Sequence, residues 1–309
     1  MARKVDYLRL SVTDLCNLRC RYCMGEDGVA KKQHREILSL EELEEMARAA
    51  AACGVKKIRL TGGEPLVRRG IVELCRRLKA IDGVEELALT TNGVLLKELA
   101  APLREAGVDR LNISLDSLNR ETYAHITRCG DLDKAWEGIA AAEAAGFRGI
   151  KLNAVLLRDF NAPEIADFVE LTRDKDYAVR FIELMPMAVC ADWDQYISAE
   201  AVLKAAPQLE KIGGDGVAEL YRVPGYCGTV GLIRPISHRF CADCNRIRIT
   251  ADGKLKPCLH SRGEIPLRGL HGEELRQAII EGIAAKPERH FLQEKGVSDC
   301  RRDMNEIGG

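Results

Sequence analysis

Cys16, Cys20 and Cys23 stand in a C-x3-C-x2-C spacing directly after a β-rich run, so one short loop offers three soft thiolates. Thiolates at that density suit an iron-sulfur cluster. A cubane 4Fe-4S cluster normally takes four cysteines, and one held by three keeps an iron open for an outside ligand. Zinc sites more often join a C-x2-C pair to a second, distant pair. About one strand-helix unit later, the segment RLTGGEP (59–65) carries a Gly-Gly turn, where backbone groups can approach a small ligand closely. A second triad, Cys241, Cys244 and Cys258, has C-x2-C-x13-C spacing. Asp252 and Gly253 between them are a strong hairpin signal, so Cys258 is expected to fold back near Cys244. By spacing alone this triad fits an iron-sulfur cluster and a structural zinc with His260 as fourth ligand equally well.

A loop of thiolates needs a scaffold. Up to about residue 184, six β-rich runs (8–12, 57–60, 87–91, 110–115, 150–156 and 179–184) alternate with helical patterns. The clearest helix, 40–53, opens with a capping box of Ser39 and Glu42 and stops at Gly54. Its apolar face carries Leu40, Leu43, Met46, Ala47 and Ala50. Similar patterns cover 71–80, 95–106 and 132–145. Repeated strand-helix-strand units predict an α/β fold with a parallel sheet and right-handed crossovers. Six units predict an incomplete (β/α)6 barrel with its chemistry at the carboxyl ends of the strands. A doubly wound open sheet fits the same periodicity. Beyond about residue 190 the sequence turns glycine-rich and hairpin-like, at 223–233 and 246–259, which predicts a C-terminal subdomain. The expected division is 1–188 and 189–309.

The 309 residues carry 46 Lys and Arg against 47 Asp and Glu, a formal net charge of -1. That balance gives no field to collect nucleic acid or an acidic membrane surface. No apolar run is long enough to span a bilayer, and the start has no secretion-signal pattern, so a cytoplasmic protein is expected. Twelve cysteines in that setting are expected to serve metal binding or catalysis, since the cytosol keeps thiols reduced.

Across nearly the whole chain, the motifs resemble those of the GTP 3′,8-cyclase family of radical S-adenosylmethionine (SAM) enzymes. They are RLSVTD (9–14), the first triad, 58–69, LTTNG (89–93), NISLD (112–116), RFIELMP (180–186), the second triad and the terminal MNEIGG (304–309). Small departures are Gly25, where proline is usual, and the pair Met187 and Ala188 in place of a glycine-containing turn. The resemblance implies a radical SAM partial barrel with a C-terminal iron-sulfur subdomain, and two 4Fe-4S clusters, one held by Cys16, Cys20 and Cys23 and one by Cys241, Cys244 and Cys258. It implies SAM contacts at Tyr22, Gly63, Ser114 and Met185. It implies GTP contacts at Arg9, Arg59, Thr90 and Lys151, and at Arg246, Ile247 and Arg248. Arg246 and Arg248 alternate onto one strand face, and Arg248 is expected to be exposed.

The implied reaction is the first step of molybdenum cofactor biosynthesis: a 5′-deoxyadenosyl radical takes the C3′ hydrogen of GTP, C3′ attacks C8, and one-electron reduction gives 3′,8-cyclo-7,8-dihydro-GTP. Both clusters are expected in one barrel mouth, with Gly308 and Gly309 reaching the active site. The implied partners are an electron donor such as flavodoxin or ferredoxin, and cyclic pyranopterin monophosphate synthase as recipient of the product; a homodimer is compatible. Two rivals stay open, a radical SAM peptide maturase with an auxiliary cluster and a non-catalytic zinc-binding interaction protein.

Overall fold

The structure is a computed structural model and describes residues 4–30, 32–190 and 193–308. Six strands run parallel and in chain order: β1 (Tyr7–Ser11), β2 (Lys57–Thr61), β3 (Glu86–Thr91), β4 (Arg110–Ser114), β5 (Lys151–Leu156) and β6 (Ala178–Glu183). The connections carry α1 (Leu40–Ala52), α2 (Ile71–Lys79), α3 (Leu96–Glu105), α4 (Arg120–Thr127), α5 (Leu132–Ala144) and α6 (Ile165–Glu170). The expected capping box opens α1: Ser39 Oγ accepts from Glu42 N at 3.1 Å, and Glu42 Oε2 accepts from Ser39 N at 2.7 Å.

Alternation along the strands decides between the two architectures. Leu8, Leu10, Ile58, Leu60, Leu87 and Leu89 are fully buried and join the main core. Their neighbours Arg9, Arg59, Thr90, Asn112 and Lys151 point to the opposite face and line a cavity. A doubly wound sheet covers both faces with helices and needs both to be apolar. Here one face is polar, so the sheet curls around that face and keeps its helices outside. Burying each outer leucine or isoleucine contributes about 1.5–3 kcal/mol. Stability is therefore vested in the outer layer, and the inner face is free for function.

The C-terminal part does not pack beside this sheet as a second body; it extends it at both edges. After α7 (Glu200–Ala205) come β7 (Glu210–Asp215), β8 (Ala218–Arg222) and β9 (Thr229–Ile233), and β9 pairs in parallel with β6. Then β10 (Arg246–Ile249) pairs in parallel with β1, and leads antiparallel into β11 (Lys254–Lys256) and β12 (Ile265–Pro266). The result is one twelve-stranded sheet in the order β12-β11-β10-β1-β2-β3-β4-β5-β6-β9-β8-β7. The expected hairpin turns at Asp252 and Gly253, where Gly253 has φ +81°. α8 (Gly272–Ala284) packs on α1, and α9 (Leu292–Lys295) and α10 (Met304–Ile307) complete the chain. Among the described residues, no helix is long and apolar enough to cross a membrane.

Candidate active site

One cavity of about 540 Å³ is lined by all six triad cysteines. Strand direction places the triads at opposite ends of it. Cys16 follows the carboxyl end of β1, whereas Cys244 lies two residues before Arg246, which pairs with Tyr7 at the amino end of β1. Cys258 follows β11 and returns to the same end, because Arg248 pairs with Lys256. The expectation of both clusters in one mouth is thereby corrected: the length of β1, about 13 Å at the usual strand rise, separates the two ends. Parallel pairing of β10 with β1 is the cause, since it puts the residues before β10 at the amino end of the barrel.

The first loop is held by its own backbone and by two arginines. Cys23 N donates to Cys20 O at 2.9 Å, and Arg19 N donates to Thr127 O at 3.0 Å. Arg19 Nη1 donates to Cys16 O at 2.6 Å, and Arg128 Nη1 to Arg19 O at 2.7 Å. Burial pushes the Cys16 thiol up to about 11, and it raises Cys20 and Cys23 as well. Thiols buried so close together cannot all ionise without a cation among them, and iron supplies that charge. Among the described residues, Cys16, Cys20 and Cys23 are the thiols that line this end of the cavity, which matches the donor set of a cluster with one open iron.

Around this loop, the expected SAM residues converge on the cavity. A Cβ at Gly63 would lie 2.3 Å from Leu15 O, so only glycine fits where the GGEP turn crosses the cysteine loop. Glu64 in that turn is buried and accepts from Asn92 N and Thr91 Oγ1, each at 2.7 Å; burial pushes its carboxyl up to about 7. Tyr22 donates to Asp116 Oδ2 at 2.6 Å, and Ser114 and Met185 line the same wall.

At the far end, Lys286 donates to Arg246 O at 2.7 Å and Pro257 O at 2.9 Å. Burial works against the Cys244 thiolate, but the charges of Lys286 and Arg246 prevail and bring that thiol below its ordinary value. Cys258 at the same end is raised by burial, so the two thiols differ in how their surroundings treat the thiolate. His260 is buried, and its Nδ1 pairs with Ser298 Oγ at 3.1 Å. His260 is thus engaged by Ser298 and not aimed at the triad as a fourth zinc ligand.

Between the ends the cavity is cationic. Arg9, Arg59, Thr90, Lys151, Arg246 and Arg248 all line it, as expected. Ile247 does not: its side chain is buried in the hydrophobic core, because it alternates with the two arginines, and only its backbone remains for a ligand. Arg248 is also a correction. It is 7 % exposed, not a surface residue, and its Nη1 donates to Ile307 O at 3.3 Å and to Gly308 O. Sequence reasoning missed Arg180 and Asp215. Arg180 Nη2 donates to Asp215 Oδ2 at 2.8 Å, and Lys151 Nζ to the same oxygen at 2.6 Å. Arg180 could have been found from its inward strand parity; Asp215 sits on the β7–β8 hairpin, and nothing local marks it.

The chain end is docked. Asn305 is fully buried and donates to Asp14 O at 3.0 Å, while Glu306 caps Asp303 N at 3.1 Å. Gly308 has φ +72°, and a Cβ there would lie 2.2 Å from Thr61 Oγ1. Gly309 lies outside the described residues.

Comparison with known proteins agrees with this geometry. The Radical SAM superfamily profile matches residues 10–172, and the Molybdenum Cofactor Synthesis C profile matches 177–292. The chain is 51% identical over 315 residues to the GTP 3′,8-cyclase of Peptoclostridium acidaminophilum, covering 99% of this chain and 96% of that protein. It is 47% identical to that of Alkaliphilus oremlandii, covering 100% and 98%. Among solved structures, Streptococcus suis SuiB superposes with a TM-score of 0.64 at 14% identity, covering 95% of this chain and 68% of that one. Native anSMEcpe with bound AdoMet does so at 0.58 and 13%, covering 94% and 82%, and both likenesses concern the fold alone. With a cysteine triad at each end of a partial barrel and this identity along its whole length, the chain belongs to the GTP 3′,8-cyclase family of the radical SAM superfamily.

Proposed function

We propose that this protein converts GTP to (8S)-3′,8-cyclo-7,8-dihydroguanosine 5′-triphosphate in molybdenum cofactor biosynthesis, with two 4Fe-4S clusters and SAM as cofactors. The observation that carries the reading is a single cavity with a cysteine triad at each end and a belt of arginines and lysine between them. Residues 1–188 form the barrel with the SAM end, and 189–309 supply the second triad, two of the arginines and the tail. Cys16, Cys20 and Cys23 hold the first cluster, and Cys241, Cys244 and Cys258 the second.

When bound by Cys16, Cys20 and Cys23, the first cluster with SAM would supply the radical chemistry that removes hydrogen at C3′ of the ribose. The chain's own work is placement. Gly63, Tyr22, Ser114 and Met185 shape the SAM end, Arg9, Arg59, Arg246 and Arg248 bind the triphosphate by charge and fork geometry, and the curled sheet excludes water. The overall change isomerises GTP, cleaves one SAM and consumes two electrons and one proton. The electrons come from a low-potential carrier such as flavodoxin or ferredoxin, and the product passes to cyclic pyranopterin monophosphate synthase. The chemistry belongs to the cytoplasm, where such carriers reside.

Anaerobic incubation of the iron-loaded protein with GTP, SAM and dithionite tests this. It should give a nucleotide with the mass of GTP but a different chromatographic position, from which fragmentation no longer releases free guanine, because C8 is tied to C3′. Unchanged GTP beside normal SAM cleavage would reject the substrate assignment.

Lys151 gives the reading a pH signature. Burial, aided by the neighbouring Arg180 charge, lowers its ammonium to about 8 in the free protein. Phosphate oxygens beside it favour the charged form, so binding GTP raises that value and takes up a proton above pH 8. GTP affinity measured by calorimetry should be near a plateau between about pH 7 and pH 8, where the terminal phosphate is ionised, and fall above it by up to about tenfold per unit. Lys151→Arg, which stays charged, should flatten the fall, and an identical profile in both proteins would remove Lys151 from the phosphate site.

A further inference from the structure

Tyr7 is an aromatic ring set among the arginines of the cavity, and no part of the functional reading so far uses it. It stands at the amino end of β1, paired with Arg246 on β10 and Lys57 on β2, and is 8 % exposed. The Arg59 guanidinium lies 5.3 Å from the ring centroid and that of Arg246 lies 5.4 Å from it. These two arginines come from the strands on either side of β1. The Tyr7 hydroxyl is buried with no hydrogen-bond partner, and so are the Nε atoms of Arg59 and Arg246.

Lys57, Arg110, Lys151 and Arg180, which also line the cavity, are neutralised differently. Glu86 lies 3.9 Å from Lys57 and 3.5 Å from Arg110, and Asp215 holds Lys151 and Arg180. A carboxylate offsets positive charge strongly, but it takes up part of the donor set that would otherwise meet an anion. An aromatic ring behaves differently. The negative faces of its quadrupole attract a guanidinium stacked above or below, and they leave the N–H edges open. One ring between two guanidiniums thus offsets part of their mutual repulsion without filling their donor sites.

We propose that Tyr7 is a positioning residue for the triphosphate: its ring holds Arg59 and Arg246 against it with their N–H edges open, and its hydroxyl donates to the same anion. This rests on the GTP reading above. The ring does the larger share, since it acts through two arginines, and the hydroxyl adds one hydrogen bond.

The test is anaerobic calorimetry of cluster-loaded parent, Tyr7→Phe, Tyr7→Leu and Tyr7→Met proteins with GTP and with guanosine. Leu and Met both remove the π faces, and Met keeps most of the length should Leu not fold. The expected result is a loss of GTP affinity of about tenfold or more in the Leu and Met proteins, with guanosine affinity nearly unchanged. Tyr7→Phe should lose only about threefold, which is rescue by the ring. Equal loss of GTP and guanosine affinity would mark a merely structural role and overturn the proposal. So would parent-like GTP binding in the Leu and Met proteins, or a Phe protein as impaired as they are. A parent that binds GTP no better than guanosine overturns the triphosphate reading itself, and that failure shows before any variant is compared.

Discussion

Removing Gly308 and Gly309 should abolish cyclisation while iron content and reductive SAM cleavage persist. The segment up to Gly308 is held in place: α10 is anchored through Asn305 to the loop after β1, and Gly308 O accepts from the buried Arg248. Arg248 lines the cavity between the two triads, so the tail sets the direction of a guanidinium that the proposed reading gives to the triphosphate. The point substitution Gly308→Val should act like the deletion, because a β-branched side chain is strained at φ +72° and its Cβ would meet Thr61 Oγ1 at 2.2 Å. Arg248→Ala removes the tail's partner from the other side, so its effect on turnover should exceed what a lost phosphate contact alone explains. Product formation and 5′-deoxyadenosine formation, measured in the same reaction, separate the cases. Full cyclase activity in the truncated protein would show that docking of the tail is incidental.

Replacing Cys16, Cys20 and Cys23 by alanine should eliminate all reductive cleavage of SAM, and replacing Cys241, Cys244 and Cys258 should eliminate cyclisation while some cleavage survives. The asymmetry follows from position. The first triad shares its end of the cavity with Gly63, Tyr22 and Ser114, and the second lies a strand length away beside Arg246 and Lys286. Each variant should keep about half of the roughly eight irons that two cubanes contain. A tightly held zinc in the second triad, or cyclisation at the parent rate in either variant, would defeat the two-cluster assignment.

Much of this was legible in the sequence where the determinants are local. The capping box of Ser39 and Glu42 needs only four consecutive residues, and the turn at Asp252 and Gly253 needs only the two arms beside it. The inward placement of Arg9, Arg246 and Arg248 follows from strand alternation, and the same rule would have excluded the Ile247 side chain. What could not be read is pairing across long separations. That β10 joins β1 and β9 joins β6 puts the two triads at opposite ends of the cavity, and no local pattern encodes which edge a strand will choose. Arg248 looked like a surface arginine because its buried neighbours, the tail and the strand β1, are distant in the chain. The carboxylate of Asp215 was invisible for the same reason. The hairpin that carries it follows ordinary glycine-rich sequence, and only the folded sheet brings it to Lys151 and Arg180.

The central claim is that the cavity holds the ribose of GTP against the SAM end so that the hydrogen leaves from C3′. Incubating the iron-loaded protein with SAM, dithionite and GTP deuterated only at C3′ tests it most directly, by mass analysis of the 5′-deoxyadenosine formed. The account predicts that the deuterium moves into 5′-deoxyadenosine as the cyclised nucleotide accumulates. Deuterium that stays on the nucleotide while 5′-deoxyadenosine forms without it would contradict the account.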